Sequence, residues 1–231
     1  MSSSRDEAAA LALLQSGSLL EAEAAWRAIA RANPNDARAL NFLGCTVAAS
    51  GRLDEALTLL DRSIRLAPRN ASFLNNRARV LQDAGRIEDA VADLRRAVSL
   101  DPGFAAAHLN LGTLLRGLGR GEEALRAFGK AAALEPNSFA AHAALGRLQY
   151  DTGHFAAASE SFGRALRLRD DPEILNNLAL ALKAVGQGEA AIACLRQALA
   201  RRPGLVDAMV NLGNLLKDRG DVEGAMREYR R

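Results

Sequence analysis

Apolar residues recur along the chain at helical spacing, in blocks that come in pairs. Residues three and four apart share one face of a helix, so each block predicts an amphipathic helix. In Phe104–Ser138 the apolar and small positions of the two blocks are Leu111, Gly112 and Leu115, then Ala124, Leu125, Phe128 and Ala131. Gly119 separates the blocks and Pro136 closes the second one. This pattern predicts a helix, a turn and a second helix.

The same punctuation returns about every 34 residues, a period typical of helical-hairpin solenoids. The closing prolines are Pro34, Pro68, Pro102 and Pro136, and the dividing glycines are Gly51, Gly85, Gly119 and Gly153. The predicted units are approximately residues 3–36, 37–70, 71–104, 105–138, 139–171, 172–205 and 206–231, the last of them truncated. One such unit cannot bury its apolar face alone, but stacked units share a continuous core. We therefore expect residues 1–231 to form one all-α domain, a right-handed superhelix of about seven helix-turn-helix units.

Two residue patterns recur in the helices of the units. A Leu-Gly pair in the first helix occurs at Leu43-Gly44, Leu111-Gly112, Leu145-Gly146 and Leu212-Gly213, with Arg77-Ala78 and Leu178-Ala179 as variants. The second helices carry an Ala followed four residues later by a bulky residue, as in Ala22 and Trp26 or Ala124 and Phe128. With the closing Pro, these residues resemble the tetratricopeptide repeat family over nearly the whole chain.

Composition excludes some classes of function and favours others. The formal net charge is +3 and aromatic residues make up 4% of the chain, which disfavours a nucleic-acid binder that stacks bases. Cys45 and Cys194 belong to distant repeats, so no disulfide is expected between them. The N-terminal residues lack the apolar run of a signal peptide, and no stretch has the apolar length of a membrane span. A soluble, cytoplasmic protein is the expectation.

No motif for chemistry stands out. His108 and His142 share one register, but two ligands do not complete a metal site, and their register favours a packing contact. The adjacent carboxylates that open several second helices point in different directions, whereas acid–base chemistry needs convergence. Nucleophile elbows and phosphate-binding glycine loops are missing from the sequence. We therefore expect no catalytic residue, no metal and no cofactor, and a protein that is not an enzyme.

The first helices supply the candidate binding residues. Their register places asparagines on the inward face of the predicted superhelix and cations one or two turns further along. The asparagines are Asn41, Asn75, Asn76, Asn110, Asn176, Asn177, Asn211 and Asn214, and the cations are Arg79, Arg116, Arg147, Lys183 and Lys217. Asparagine is a mediocre helix former, so its recurrence at one register favours a function. The structural alternative is that these amides solvate a helix surface or bond from one repeat to the next. Tyr150 is also expected to point into the groove.

This row of asparagines resembles the superhelical repeat region of the O-linked N-acetylglucosamine transferases and of bacterial repeat domains joined to glycosyl- or sulfotransferases. The resemblance implies that the row holds the backbone of an extended peptide, with the cations adding a preference for acidic segments. Phe42 and Ala144 interrupt the row. The leading hypothesis is a protein-interaction scaffold that binds an extended protein or peptide segment. The alternative is the substrate-selecting N-terminal region of a larger transferase.

The last unit predicts self-association. Met209, Leu212 and Leu216, with Met226 and Tyr229 beside them, are expected to lie uncovered because no further hairpin follows. An uncovered apolar patch tends to find a partner, and end-to-end association of two copies would supply one.

Overall fold

The computed structural model describes the backbone of residues 2–230 and the side chains of residues 5–230. This part of the chain is all-α and contains no strand. The helices are α1 (Ser2–Gln15), α2 (Leu19–Ala32), α3 (Ala37–Ala49), α4 (Leu53–Leu66), α5 (Ala71–Asp83), α6 (Ile87–Leu100), α7 (Ala105–Gly117), α8 (Gly121–Leu134), α9 (Phe139–Asp151), α10 (Phe155–Leu168), α11 (Pro172–Ala184), α12 (Gly188–Arg201), α13 (Val206–Asp218) and α14 (Val222–Tyr229). The odd-numbered helices are the first helices of the predicted hairpins, and the all-α repeat fold is confirmed.

Local sequence sets where the helices begin and end. Each hairpin turn contains a glycine with φ between 72° and 84°, a left-handed conformation that costs glycine little and other residues more. Several first helices begin after a capping side chain. For example, Asn70 accepts hydrogen bonds from the amides of Ser72 and Phe73, which satisfies helix donors that would otherwise lack partners. Pro172 opens α11, where its missing N–H is no loss.

The structure divides into two compact units, Met1–Leu114 and Leu115–Arg231, which we call unit 1 and unit 2. The expected single continuous domain stays a prediction. In unit 1 each helix from α1 to α6 packs on the next, and α3 also packs on α5. In unit 2 the same holds from α8 to α14, with α9 on α11 and α11 on α13. First helices therefore lie side by side within each unit.

The signature residues build the cores. Phe162 is 1% exposed in unit 2, and a Cβ added at Gly146 would lie 2.8 Å from its ring. The Leu-Gly pair is thus explained by close approach, because a side chain at the glycine position would collide with the bulky residue of the second helix. In unit 1, Trp26 is fully buried and stacks on Phe42, with 4.8 Å between ring centroids.

A charged cluster replaces part of the apolar core in unit 1. Arg77 stands where most repeats have leucine. Its Nε and Nη2 donate to the two carboxylate oxygens of Asp93 at 2.7 and 2.6 Å, and its Nη1 donates to Asp61 at 2.6 Å. Asp93 is 6% exposed. Hydrogen bonding to Asp93, more than to Asp61, raises the pKa of Arg77 despite partial burial, so the guanidinium stays charged.

Among the described residues, no helix combines the length and the apolar character needed to cross a bilayer.

Candidate functional site

Three hydrogen bonds between asparagines connect neighbouring first helices. In each, Nδ2 of one residue donates to Oδ1 of an asparagine in the preceding repeat, over 2.8 Å: Asn76 to Asn41, Asn110 to Asn75, and Asn211 to Asn176. We call these pairs the asparagine ladder. The accepting members are 1%, 8% and 7% exposed, respectively, and the donating members are half-buried. The bonds therefore satisfy side-chain carbonyl oxygens that would otherwise be buried without partners.

Six of the predicted binding residues belong to the ladder and hydrogen-bond from one repeat to the next, as the structural alternative to peptide binding predicts. It does not use up their capacity. A carboxamide has two donors and an oxygen with two lone pairs. Each half-buried donor, such as Asn76, therefore retains its oxygen and one N–H for another partner.

Asn177 differs from the ladder asparagines. It is half-buried, and its side chain forms no hydrogen bond within the described part of the chain. By register, the acceptor position in the preceding repeat is Ala143 on α9, which has no polar side-chain atom, and Ala144 follows it. Asn214 is engaged elsewhere, since its Oδ1 accepts a 2.7 Å hydrogen bond from the Tyr229 hydroxyl.

A cavity of about 470 Å³ lies at this gap in unit 2. Its lining is Arg147, Tyr150, Asp151, Phe162, Glu173, Asn176, Asn177, Leu180, Leu205 and Asp207. We call it the α9–α11 cavity, after the helices that contribute most of it. Three of the predicted binding residues, Arg147, Asn176 and Asn177, come together here. Tyr150 also lines this cavity, and its expected position in the groove stays a prediction. The cavity has the size and the mixed apolar and polar character of a ligand pocket.

Other predicted binding residues lie outside this cavity. In unit 1, Arg79 on α5 is exposed. Phe42, which interrupts the row of asparagines, packs its ring on Trp26. In unit 2, Arg116 is half-buried and Lys217 is exposed.

Not all of the predicted binding cations are free to bind a ligand. Lys183 forms an ion pair with Asp218, with 2.9 Å from Nζ to Oδ2. The lining also contains three carboxylates, Asp151, Glu173 and Asp207, which the sequence reasoning missed. Glu173 and Asp207 share the second position of their repeats, whereas the three preceding repeats have the uncharged residues Ser72, Ala106 and Ala140 there and the repeat before those has Arg38. That change in charge at one register is the signal that would have identified them.

Histidine and cysteine side chains have structural surroundings. Nε2 of His108 lies 3.1 Å from the carbonyl oxygen of Pro102, and Nε2 of His142 lies 2.9 Å from that of Pro136. Both rings therefore contact the turn that closes the preceding repeat. Within the described residues there is no group of three or more side chains suited to hold a metal ion. Burial raises the pKa of Cys45 and of Cys194, which keeps both thiols in their weakly nucleophilic form.

The predicted uncovered patch on the last hairpin is wrong for its first three residues. Met209, Leu212 and Leu216 are 9%, 2% and 7% exposed, because they pack within the α11–α14 core. Met226 and Tyr229 are about half exposed. The other large exposed apolar side chains of this hairpin are Val206, Val210 and Val222.

Consecutive helical hairpins with adjacent first helices define the α-solenoid repeat class, whose members generally act as protein-interaction scaffolds. One model of the tetratricopeptide repeat matches residues 7–71, 75–142 and 176–231, and a second matches residues 115–184. The chain belongs to the tetratricopeptide repeat family. Proteins of this family are typically non-enzymatic scaffolds.

Solved structures agree with this fold. Pseudomonas aeruginosa pilF is 20% identical, with a TM-score of 0.78 over 89% of this chain and 94% of that one. YrrB, described as a tetratricopeptide repeat protein with an unusual peptide-binding site, is 18% identical, with a TM-score of 0.70 over 80% and 95% of the two chains. A tetratricopeptide repeat protein from Parabacteroides merdae is 21% identical, with a TM-score of 0.67 over 99% and 91%. A comparison with curated protein sequences gave no significant match.

Proposed function

We propose that the chain is a non-enzymatic interaction scaffold that binds an extended segment of a partner protein along its first helices, with a principal site at the α9–α11 cavity. The observation that carries this proposal is Asn177, a half-buried carboxamide without a hydrogen-bond partner in the described structure on the wall of a 470 Å³ cavity. A peptide-binding site is named for YrrB, which shares the fold, and this supports a peptide as the ligand.

The chemistry of Asn177 suits a peptide backbone. Every extended residue other than proline presents one N–H and one C=O, whatever its side chain. A free carboxamide offers both a donor and an acceptor, so Asn177 can bond to a backbone without selecting a sequence. The remaining oxygen and N–H of Asn211, and those of Asn76 and Asn110 in unit 1, have no partner in the described structure and offer the same chemistry at other repeats.

The ladder determines which variant tests this proposal. Replacing Asn76, Asn110 and Asn211 by Ala would leave buried acceptors without partners, at about 1–3 kcal/mol each, and would confuse binding with stability. Asn177→Ala removes no hydrogen bond of the described structure, so it tests binding alone. Asn137→Ala, in the exposed turn before α9, is the matched control.

The assay is fluorescence anisotropy with a library of labelled, terminally blocked ten-residue peptides. We expect Asn177→Ala to weaken the peptides that bind by about fivefold, the equivalent of roughly 1 kcal/mol for a hydrogen bond. Asn137→Ala should bind as the parent does. Unchanged binding by Asn177→Ala, with an unchanged helical spectrum, would contradict the proposal.

Two further elements of the proposal stay predictions. The first is a cytoplasmic location together with self-association through the exposed side chains of α13 and α14. The second is the alternative in which the same groove selects substrates for a glycosyl- or sulfotransferase-type domain on a longer chain. The full open reading frame separates the scaffold from this alternative, because the latter requires an α/β domain after the repeats.

A further inference from the structure

The α9–α11 cavity carries more negative than positive charge. Asp151, Glu173 and Asp207 line it together with one cation, Arg147. Glu173 is paired with Arg202 outside the cavity, at 2.9 Å. The carboxylates of Asp151 and Asp207 form no ion pair or hydrogen bond within the described part of the chain. Even with Arg202 counted, one carboxylate is in excess.

An aspartate at position 151 does not stabilise its helix. It is the last residue of α9, where the helix dipole disfavours an anion. Asp207 lies in the first turn of α13, where the dipole favours one, so it has a structural reason that Asp151 lacks. Asp83 and Asp218 end α5 and α13 in the same way, so the position at a helix end does not distinguish Asp151. What distinguishes it is its place in the cavity lining, together with Asp207.

The apolar part of the lining fits the stem of a long cationic side chain. Tyr150 and Leu180 are half-buried, and Phe162 contributes to the wall from the core. Arginine and lysine lay their methylene stems on apolar surface while the charged head stays at a polar rim. The ring of Tyr150, which packs edge-on with Phe155 at 5.3 Å between centroids, adds attraction for a cation that lies over its face. Carboxylates beside apolar and aromatic groups therefore match both parts of such a side chain.

Arg147 does not reverse this preference. It is exposed and has no carboxylate partner in the described structure, so it can turn towards solvent or towards a carbonyl of the bound segment. The two unpaired aspartates are fixed at the ends of helices and cannot both be neutralised by it.

We propose that the α9–α11 cavity binds an arginine or lysine side chain of the partner's extended segment, with Asp151 and Asp207 as its counter-charges. This inference rests on the proposed function and deepens it, and it replaces the acidic preference expected from the sequence with a basic one at this site.

The test uses three blocked ten-residue peptides of Ser, Ala and Gly that differ only at a central residue, which is arginine, citrulline or glutamate. Citrulline keeps the shape of arginine without its charge. We expect the arginine peptide to bind about three- to tenfold more tightly than the citrulline peptide, since each partly exposed ion pair contributes about 0.2–1 kcal/mol. This advantage should shrink as salt is added.

The double variant Asp151→Asn/Asp207→Asn should abolish the advantage of arginine and leave binding of the citrulline peptide within twofold. The control, Asp54→Asn/Asp83→Asn, removes the same charge from exposed positions of unit 1 and should preserve the advantage. Circular dichroism checks that both variants fold.

The outcomes separate the two proposals. If the arginine and citrulline peptides bind equally, if the glutamate peptide binds most tightly, or if the aspartate variant keeps the advantage, this inference is wrong while the groove remains a peptide site. If none of the three peptides binds, the proposed function and this inference fall together.

Discussion

The ion-pair cluster around Arg77, in which Asp93 is buried, allows the sharpest test of how this fold is stabilised. The Asp93 side chain is 9% exposed and that of Arg77 is 22% exposed, so Asp93→Ala leaves a charge in a largely dry environment. Breaking a buried ion pair costs about 3–5 kcal/mol. Asp61 remains as a partner, although its own side chain is 45% exposed. We therefore expect Asp93→Ala to lower the free energy of unfolding by about 2–4 kcal/mol, and Arg77→Leu, which strands Asp93, to lower it by a similar amount.

The repeats themselves provide the compensating variant. Arg77 and Asp93 occupy the positions of Leu111 and Ala127 in the next repeat. The double variant Arg77→Leu/Asp93→Ala therefore reproduces a pair that the chain already uses. Because a well-packed apolar replacement of a buried ion pair is often neutral or stabilising, we expect the double variant to unfold within about 1 kcal/mol of the parent.

Urea unfolding followed by circular dichroism measures the four stabilities, and the double-mutant cycle gives the coupling. Asp89→Ala is the control. It breaks the exposed pair with Arg86, in which both side chains are more than half exposed, and should change stability by less than about 1 kcal/mol. A loss below about 1 kcal/mol for Asp93→Ala, or a double variant no more stable than the single ones, would refute the reasoning.

Two other predictions follow from charge and exposure. Hydrogen bonding to Arg52 lowers the pKa of Glu23 from its ordinary value of 4.5, so its stabilising effect is complete above pH 4.5 and is lost as the pH falls through the lowered pKa. Urea midpoints should therefore drop more steeply between pH 5 and pH 3 for the parent than for Glu23→Gln, and parallel curves would contradict this. Light scattering at high concentration should show dimers that weaken in Val210→Ser/Met226→Ser, and a strict monomer would argue against self-association.

The hairpins could be predicted from the sequence because their determinants are local. Gly51, Gly85, Gly119 and Gly153 all adopt positive φ, as their position between two apolar blocks indicates. Pro172 at the start of α11 follows from the same local reasoning. Such features depend on the conformational preferences of single residues, which the repeat period places unambiguously.

The ladder was harder to predict because it joins different registers of neighbouring repeats. Asn76 and Asn41 are 35 residues apart, as are Asn110 and Asn75, and this spacing is one more than the period of about 34. When the repeats are aligned with one another, the donor and the acceptor of a bond stand at two different positions of the repeat. Each position, taken alone, shows recurring asparagines with no visible partner and therefore suggests a binding surface. A search for asparagines 35 residues apart would have found the pairs, including Asn211 and Asn176.

Arg77 shows a different limit of the sequence reasoning. Arg77 reads as a variant of the Leu-Gly signature when first helices alone are compared. Its partner Asp93 is also unusual for its position, where Leu59 and Ala127 stand in adjacent repeats. Two departures from the pattern, one on each helix of a hairpin, compensate each other. Comparing both helices of one repeat, rather than one position across repeats, would have identified the pair.

The position of the candidate site depends on which residues the preceding repeat places next to each asparagine. An asparagine at the donor position is structural where the preceding repeat offers an asparagine acceptor, as Asn176 does for Asn211. Where the preceding repeat offers Ala143, the identical residue type becomes available to a ligand. Asn177 is therefore a candidate binding residue because α9 has Ala143 at the acceptor position, and the chemistry of the asparagine itself is unchanged. We therefore propose that the break in the asparagine ladder at Asn177 marks the binding position of this protein better than the intact pairs do.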